Sequence, residues 1–191
     1  MGDINQVLYL TKLVPFVSGA ILEVVSKNHN NISSFRDHYP QNEYIGIDAE
    51  DGENIDVVVD LAQGICSLRS SYFALGICCS VLEHVRKPWE FAERLSSLMR
   101  PGGTLFMSVP WVWGYHPCPD DYFRYSWRGI IELFPAFDWD NVFYSTNVED
   151  EFYPAEREFD DNMAQFADTP NGKRKYLPYL QLLMLGQKRS Q

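Results

Sequence analysis

"ILEVVSKNHNN", residues 21–31, poses the question of the fold and of the site together. An apolar, β-branched run surrounds Glu23 and reads as a buried strand. A stretch of Ser, Lys, Asn and His then takes the place of the bend that leads from a first strand into a helix. It has the outline of a nucleotide-cofactor loop, but it contains no glycine. Working outward, "EYIGID" (43–48), "IDVVVDL" (55–61) and "YFALGICCSV" (72–81) repeat the same strand signature without polar alternation. Such runs predict central strands covered on both faces.

Helical patterns fall between the strands. Asp3 and Gln6 have capping-box spacing, and Ile4, Val7, Leu8 and Leu10 to Val14 supply an apolar stripe that ends at Pro15. "ISSFRDHYP" (32–40) predicts a helix of one to two turns closed by Pro40. In "KPWEFAERLSSLMR" (87–100), Trp89, Ala92, Leu95 and Leu98 or Met99 recur at helical spacing. "PGG" (101–103) breaks the chain before a fifth strand, "TLFMSVP", because glycine supplies the positive φ that a bend needs. Farther on, Ser126 caps the helix "WRGIIELF", "WDNVFYSTNV" alternates like an exposed strand, and "YLPYLQLLMLGQKR" predicts a last strand. Alternating strands and helices specify a doubly wound, mostly parallel sheet of seven strands with helices on both faces. Residues 149–176, acidic at first and basic at the end, form a candidate insert or lid.

Composition narrows the function classes. A chain of 191 residues, 46% of them hydrophobic, buries one sizeable core, and one domain is expected over 1–191. The formal charge of −10 gives no basic face, which argues against nucleic acid as a partner. Cys66, Cys78, Cys79 and Cys118 include no C-x-x-C pair and no paired His ligands, so neither a zinc site nor a disulfide framework is expected, and a reducing cytoplasm is. "MGDINQ" lacks a basic leader, and no apolar run reaches membrane-spanning length, so no membrane association is expected.

"ILEVVSKN", "YIGIDAE", "VVVDLA", "CCSVLEHVRKPWEF" and "LMRPGGTLFMSVPW" follow the order and spacing of the class I S-adenosylmethionine-dependent methyltransferases, which the chain resembles over roughly residues 19–134. "HPCPDDYFRYS" (116–126) resembles the His-Asp-Tyr-Phe-Arg-Tyr loop of small members of that family. The last quarter of the chain adds nothing to the resemblance. A Rossmann-like sheet and S-adenosylmethionine as cofactor are what it implies. Glu23, ending the first strand, would then meet the methionine amino group; the alternative is a loop cap. Asp48, ending the second strand and followed by Ala49, would accept both ribose hydroxyl protons. Asp60 would face the adenine amino group with Leu61 beside the ring, although a strand-ending Asp is also an ordinary turn residue. Cys79 and Ser80 would line the pocket beside the reactive methyl. Glu83 and His84 open the next helix, with His84 either reaching the cleft or satisfying a loop carbonyl.

The family pattern acid-x-Gly-x-Gly-x-Gly falls here on Val25, Lys27 and His29. A valine is a poor substitute, because a β-branched residue at positive φ is strained and its methyls project toward the methionine moiety. Ser26 can accept from nearby amides, and the asparagines tolerate the left-handed region, so a rearranged loop can keep a site.

Methyl transfer requires positioning in a dry pocket, together with a base for a hydroxyl or amine acceptor. His116 is the expected base, with Asp121 orienting it or acting itself. Arg124 either holds an anionic or sugar-hydroxyl group or braces the loop as an i,i+3 partner of Asp121. Trp111, Trp113 and Tyr115 supply walls that suit a sugar face or a planar ring. The expected activity is methyl transfer to a small-molecule or carbohydrate acceptor. The alternative is an inactive, methyltransferase-like module that binds a protein partner or a second copy of itself.

Overall fold

Continuous apolar strands need cover on both sides, and the computed structural model shows how they obtain it. It describes residues 4–25, 35–64, 68–117, 120–146, 148–155 and 180–190. Helix α1 (Ile4–Leu13) precedes β1 (Ile21–Val24), and a 3-10 turn (Phe35–His38) precedes β2 (Tyr44–Asp48). Then come β3 (Val57–Val58), β4 (Phe73–Cys79), a 3-10 turn (Leu82–His84), α2 (Pro88–Leu98) and β5 (Met99–Val112). The chain continues through α3 (Trp127–Leu133), β6 (Phe137–Ser145), β7 (Phe152–Pro154) and β8 (Leu180–Lys188).

One sheet contains every strand, in the order β3-β2-β1-β4-β5-β8-β6-β7. The pairings from β3 through β5 are parallel. β8 runs antiparallel between β5 and β6, and β7 pairs antiparallel with β6. The sheet thus has eight strands rather than the seven expected. The additional one, β7, is three residues at the edge, too short to leave a pattern in sequence.

Successive residues of a strand point to opposite faces, and the core divides accordingly. Leu22, Leu105, Met107, Leu182 and Met184 pack with Phe91, Leu95 and Leu98 of α2 and Ile130 of α3. Ile21, Phe106, Leu183 and Leu185 pack on the other face with Val7, Tyr9 and Leu10 of α1 and with Phe35 and Tyr39. Ser126 caps α3 as expected, its hydroxyl accepting from the Gly129 amide at 3.2 Å.

Other expectations change at the level of single residues. Trp89 is 59% exposed, and Pro88 and Phe91 take the buried positions of α2 instead. Pro101–Gly103 does not separate α2 from a strand, because β5 begins at Met99 and the tripeptide forms an irregularity inside it, with Gly102 at φ 71°. The run 55–61 forms only the two-residue β3 before Asp60 turns the chain. The Gln6 side chain is buried and donates to Ser80 and Ser108, and its expected capping partner Asp3 lies outside the described residues. Asp3, the 26–34 loop with Ser26, Lys27 and His29, Cys66, Cys118 and residues 156–176 of the expected insert lie outside the described residues. Among the described residues, no helix is long and apolar enough to cross a membrane.

Candidate active site

Open α/β sheets place ligands beyond the carboxyl ends of their strands, where strand order reverses. Here that reversal lies between β1 and β4. Three acids stand along this rim. Glu23 precedes the last residue of β1, and its carboxylate accepts from the Tyr44 hydroxyl at 2.8 Å. Asp48 ends β2, is 9% exposed, and accepts from the Glu50 amide at 3.0 Å. Asp60 follows β3, and both of its oxygens hold the local turn, taking the Ala62 amide at 2.8 Å and the Gln63 side-chain amide at 2.7 Å. A pocket of about 270 Å³ opens between the ends of β2 and β3, lined by Ala49, Val58, Val59, Asp60, Gln63 and Gly64. Leu61 packs its side chain into the core, at 2% exposure, rather than into this pocket.

Val25, at the first position of the missing glycine pattern, adopts φ 60°. Its amide donates to the Ile47 carbonyl at 2.8 Å, so β2 holds the backbone in the left-handed region although the side chain disfavours it. The turn that a glycine would make is therefore kept.

Beyond β4 the backbone turns again at Ser80, φ 54°. The Ser80 hydroxyl is tied to the Gln6 and Gln181 amides, both at 3.2 Å, and the same amides reach the buried Ser108 hydroxyl at 3.1 and 2.8 Å. This network joins α1, β4, β5 and β8 under the site. Cys79 lies between the two halves of the rim. Burial chiefly raises its thiol pKa well above the ordinary value, and Cys78, Glu23 and Glu83 add to the effect. It is a poor nucleophile and a wall of the cleft.

The other half of the rim is built where the Leu82–His84 turn meets the loop after β5. The Glu83 carbonyl accepts from the Tyr122 amide at 2.8 Å and the Phe123 amide at 3.3 Å, and the Tyr125 hydroxyl bonds to the Leu82 carbonyl at 3.3 Å. His84 donates through Nδ1 to the Asp120 carbonyl at 2.6 Å. His116 has Nδ1 3.1 Å from the Gly114 carbonyl and 3.2 Å from Asp121 Oδ2. Both rings therefore aim Nε2 inward, at 3.8 Å (His84) and 3.9 Å (His116) from Glu83 Oε1. Glu83 is fully buried, and among the described residues no other residue hydrogen-bonds either carboxylate oxygen. Burial pushes its carboxyl up to about 7, against the opposing pull of its own backbone amide and of Arg124.

Asp121 and Arg124 hold this loop. Arg124 engages both carboxylate oxygens of Asp121, one at 2.7 Å, and donates to the carbonyls of Phe123 at 2.8 Å and Gly114 at 3.2 Å. Arg124 lowers the Asp121 carboxyl to about 2, and the His116 amide, 3.0 Å from Oδ2, adds to this. The structure thus brings His116, Asp121 and Arg124 together, with Arg124 turned onto the loop itself. It also gathers Glu83 and His84, which the sequence pattern did not select as a site. Their only signal was an acid and a histidine directly after the fourth strand. The Trp113 ring meets His116 edge-on at 6.5 Å between centroids, and Tyr115, Tyr122 and Phe123 of the same loop are also exposed.

The chain matches no protein-family model and no curated protein sequence. Solved structures share its architecture at low identity. The Burkholderia thailandensis 1,6-didemethyltoxoflavin-N1-methyltransferase, bound to 1,6-didemethyltoxoflavin and S-adenosylhomocysteine, aligns at a TM-score of 0.65 and 12% identity over 97% of this chain and 77% of that one. A SAM-dependent methyltransferase from Archaeoglobus fulgidus aligns at 0.60 and 12% identity over 95% and 92% of the two chains. The Haemonchus contortus phosphoethanolamine N-methyltransferase 2, in complex with phosphomonomethylethanolamine and S-adenosylhomocysteine, aligns at 0.61 and 13% identity over 98% of this chain and 53% of that one. At these identities the likeness establishes the fold alone, an α/β sheet shared with these methyltransferases.

Proposed function

We propose that this chain binds S-adenosylmethionine along the carboxyl rim of β1–β4 and transfers its methyl group to a small-molecule acceptor, with a sugar or planar ring as the favoured shape. One observation carries the reading: Asp48 ends β2 directly beside the pocket lined by Ala49, Val58, Val59 and Asp60. A carboxylate there can accept both ribose hydroxyls while the pocket takes the adenine. The residues fit the cofactor on that side. On the methionine side, Glu23 would meet the amino group, a reading supported by the turn at Val25, which keeps the path of the backbone with a Cβ where the family has none. Cys79 and the main chain of Ser80 close the floor. The cofactor supplies a methyl group already activated on a sulfonium.

The chain's own part is to hold the acceptor in line, exclude water and take a proton. His116 would receive that proton at Nε2, a role supported by Asp121 Oδ2 lying 3.2 Å from Nδ1, where it orients the ring. The exposed Trp113 ring beside His116, with Tyr115, Tyr122 and Phe123 exposed on the same loop, supports an acceptor with a flat or sugar face. The named ligands of two structural neighbours, a fused heterocycle and a phosphorylated amine, support a small acceptor.

Isothermal calorimetry with S-adenosylhomocysteine tests the reading. Wild type should bind, and Asp48→Ala should lose about ten- to a hundredfold, the value of charge-assisted bonds worth about 1.5–3 kcal/mol. Wild type that gives no heat and no melting shift at millimolar ligand would instead be the inactive, methyltransferase-like module.

A further inference from the structure

We infer that Glu83, His84 and His116 form a binding site for one first-row divalent transition-metal ion. One ligand atom from each residue lies within 4.8 Å of the other two, and the Glu83 oxygen stands 3.8 and 3.9 Å from the two Nε2 atoms. A zinc-type ion holds such ligands at about 2.0–2.2 Å, which sets them roughly 3–3.5 Å apart. Side-chain movements of no more than about 1.3 Å, from 4.8 to 3.5 Å, close the difference.

Three features point to a cation rather than an ordinary polar contact. The first is the orphaned carboxylate: Glu83 is fully buried, and among the described residues no other residue donates to it. Burying an anion without a partner is costly, and a divalent ion satisfies it directly. The second is the tautomer. Each ring uses Nδ1 on a backbone carbonyl, of Asp120 and of Gly114, so the neutral rings present lone pairs, and no donor, to the carboxylate. The third is the supporting shell. Asp121 sits behind His116 and Arg124 behind Asp121, the arrangement that fixes ring orientation and ligand basicity in metal sites. The Tyr122 and Phe123 amides tie the two contributing segments together through the Glu83 carbonyl.

Two imidazoles and one carboxylate select zinc, cobalt, manganese or iron over magnesium or calcium, which prefer all-oxygen sites. The side chain of His116 is 33% exposed, which leaves open coordination positions toward the cleft for water or an acceptor oxygen or nitrogen. The binding itself does not depend on the proposed methyl transfer; its role there does. With the ion bound, the His116 lone pair becomes a ligand, and the ion acidifies the acceptor, whose proton leaves to solvent.

The test uses the full chain stripped with chelator and titrated with Co²⁺, read by visible absorption, and with Zn²⁺, read by calorimetry. One equivalent should bind, with cobalt ligand-field bands in the visible. His116→Ala and Glu83→Gln should each weaken binding at least tenfold, and His38→Ala, away from the site, should leave it unchanged. Circular dichroism checks that the variants fold; if Glu83→Gln does not, His116→Ala and the cobalt spectrum decide. Absence of binding at millimolar ion, or equal affinity in His116→Ala and wild type, would overturn the inference. S-adenosylhomocysteine binding is measured on the same samples. Metal without nucleotide sinks the proposed function alone, and nucleotide without metal sinks this inference alone.

Discussion

Position 25 should reverse the usual ranking of alanine and glycine. Its φ of 60° is imposed by the Val25 amide bond to Ile47, so a substitution that keeps the fold must keep that backbone. An L-residue there costs about 1–2 kcal/mol relative to glycine. Glycine elsewhere is the weaker residue by about 0.5–1 kcal/mol, because it loses more freedom on folding. Val25→Ala and Val25→Gly both remove the partly exposed isopropyl group, so the difference between them isolates the backbone. The glycine variant should be the more stable by about 0.5–1 kcal/mol, in urea unfolding followed by tryptophan fluorescence. Removing the Cβ also widens the methionine side of the rim, so Val25→Gly should bind S-adenosylhomocysteine several-fold more tightly than wild type, about 1 kcal/mol. An alanine variant as stable as the glycine variant would show that the turn is not held as described, and the strain argument would fail.

Three further perturbations test other parts of the structure. Gln181→Leu removes the amide that bonds Ser108 at 2.8 Å and Ser80 at 3.2 Å, and chemical denaturation should register a loss of about 1–3 kcal/mol. Gly186→Ala places a Cβ 2.8 Å from the Trp139 indole, which must shift; a cost of about 1–3 kcal/mol and a changed tryptophan emission are expected. Asp121→Asn should cost roughly 1–2 kcal/mol at neutral pH. Because the folded-state carboxyl is depressed to about 2 from 3.8, that contribution is complete above about pH 4 and is lost as the pH falls through 2. The stability curves of variant and wild type should therefore converge over that range. A gap that stays constant would mean that Asp121 does not gain its stability as an anion.

The sequence determined the elements and the acids along the rim of the sheet. Unbroken apolar runs are stable only between two layers of helices, so "AILEVV", "EYIGID" and "YFALGICC" announced central strands. Asp48 ends β2 and Asp60 follows β3 because a carboxylate is costly inside such a run, whereas Glu23 stays inside β1 with the Tyr44 hydroxyl as a partner. The loop containing His116, Asp121 and Arg124 was legible through the resemblance of "HPCPDDYFRYS" to the family loop. Tertiary structure alone decided what depends on distant segments meeting. It set β8 between β5 and β6, added β7 at the edge, and turned Gln6 into the sheet. It also closed Glu83 and His84 against His116, from the far side of α2 and β5. Period and propensity act over a few residues, whereas strand pairing and the convergence of buried polar groups are settled by which surfaces can be removed from water together.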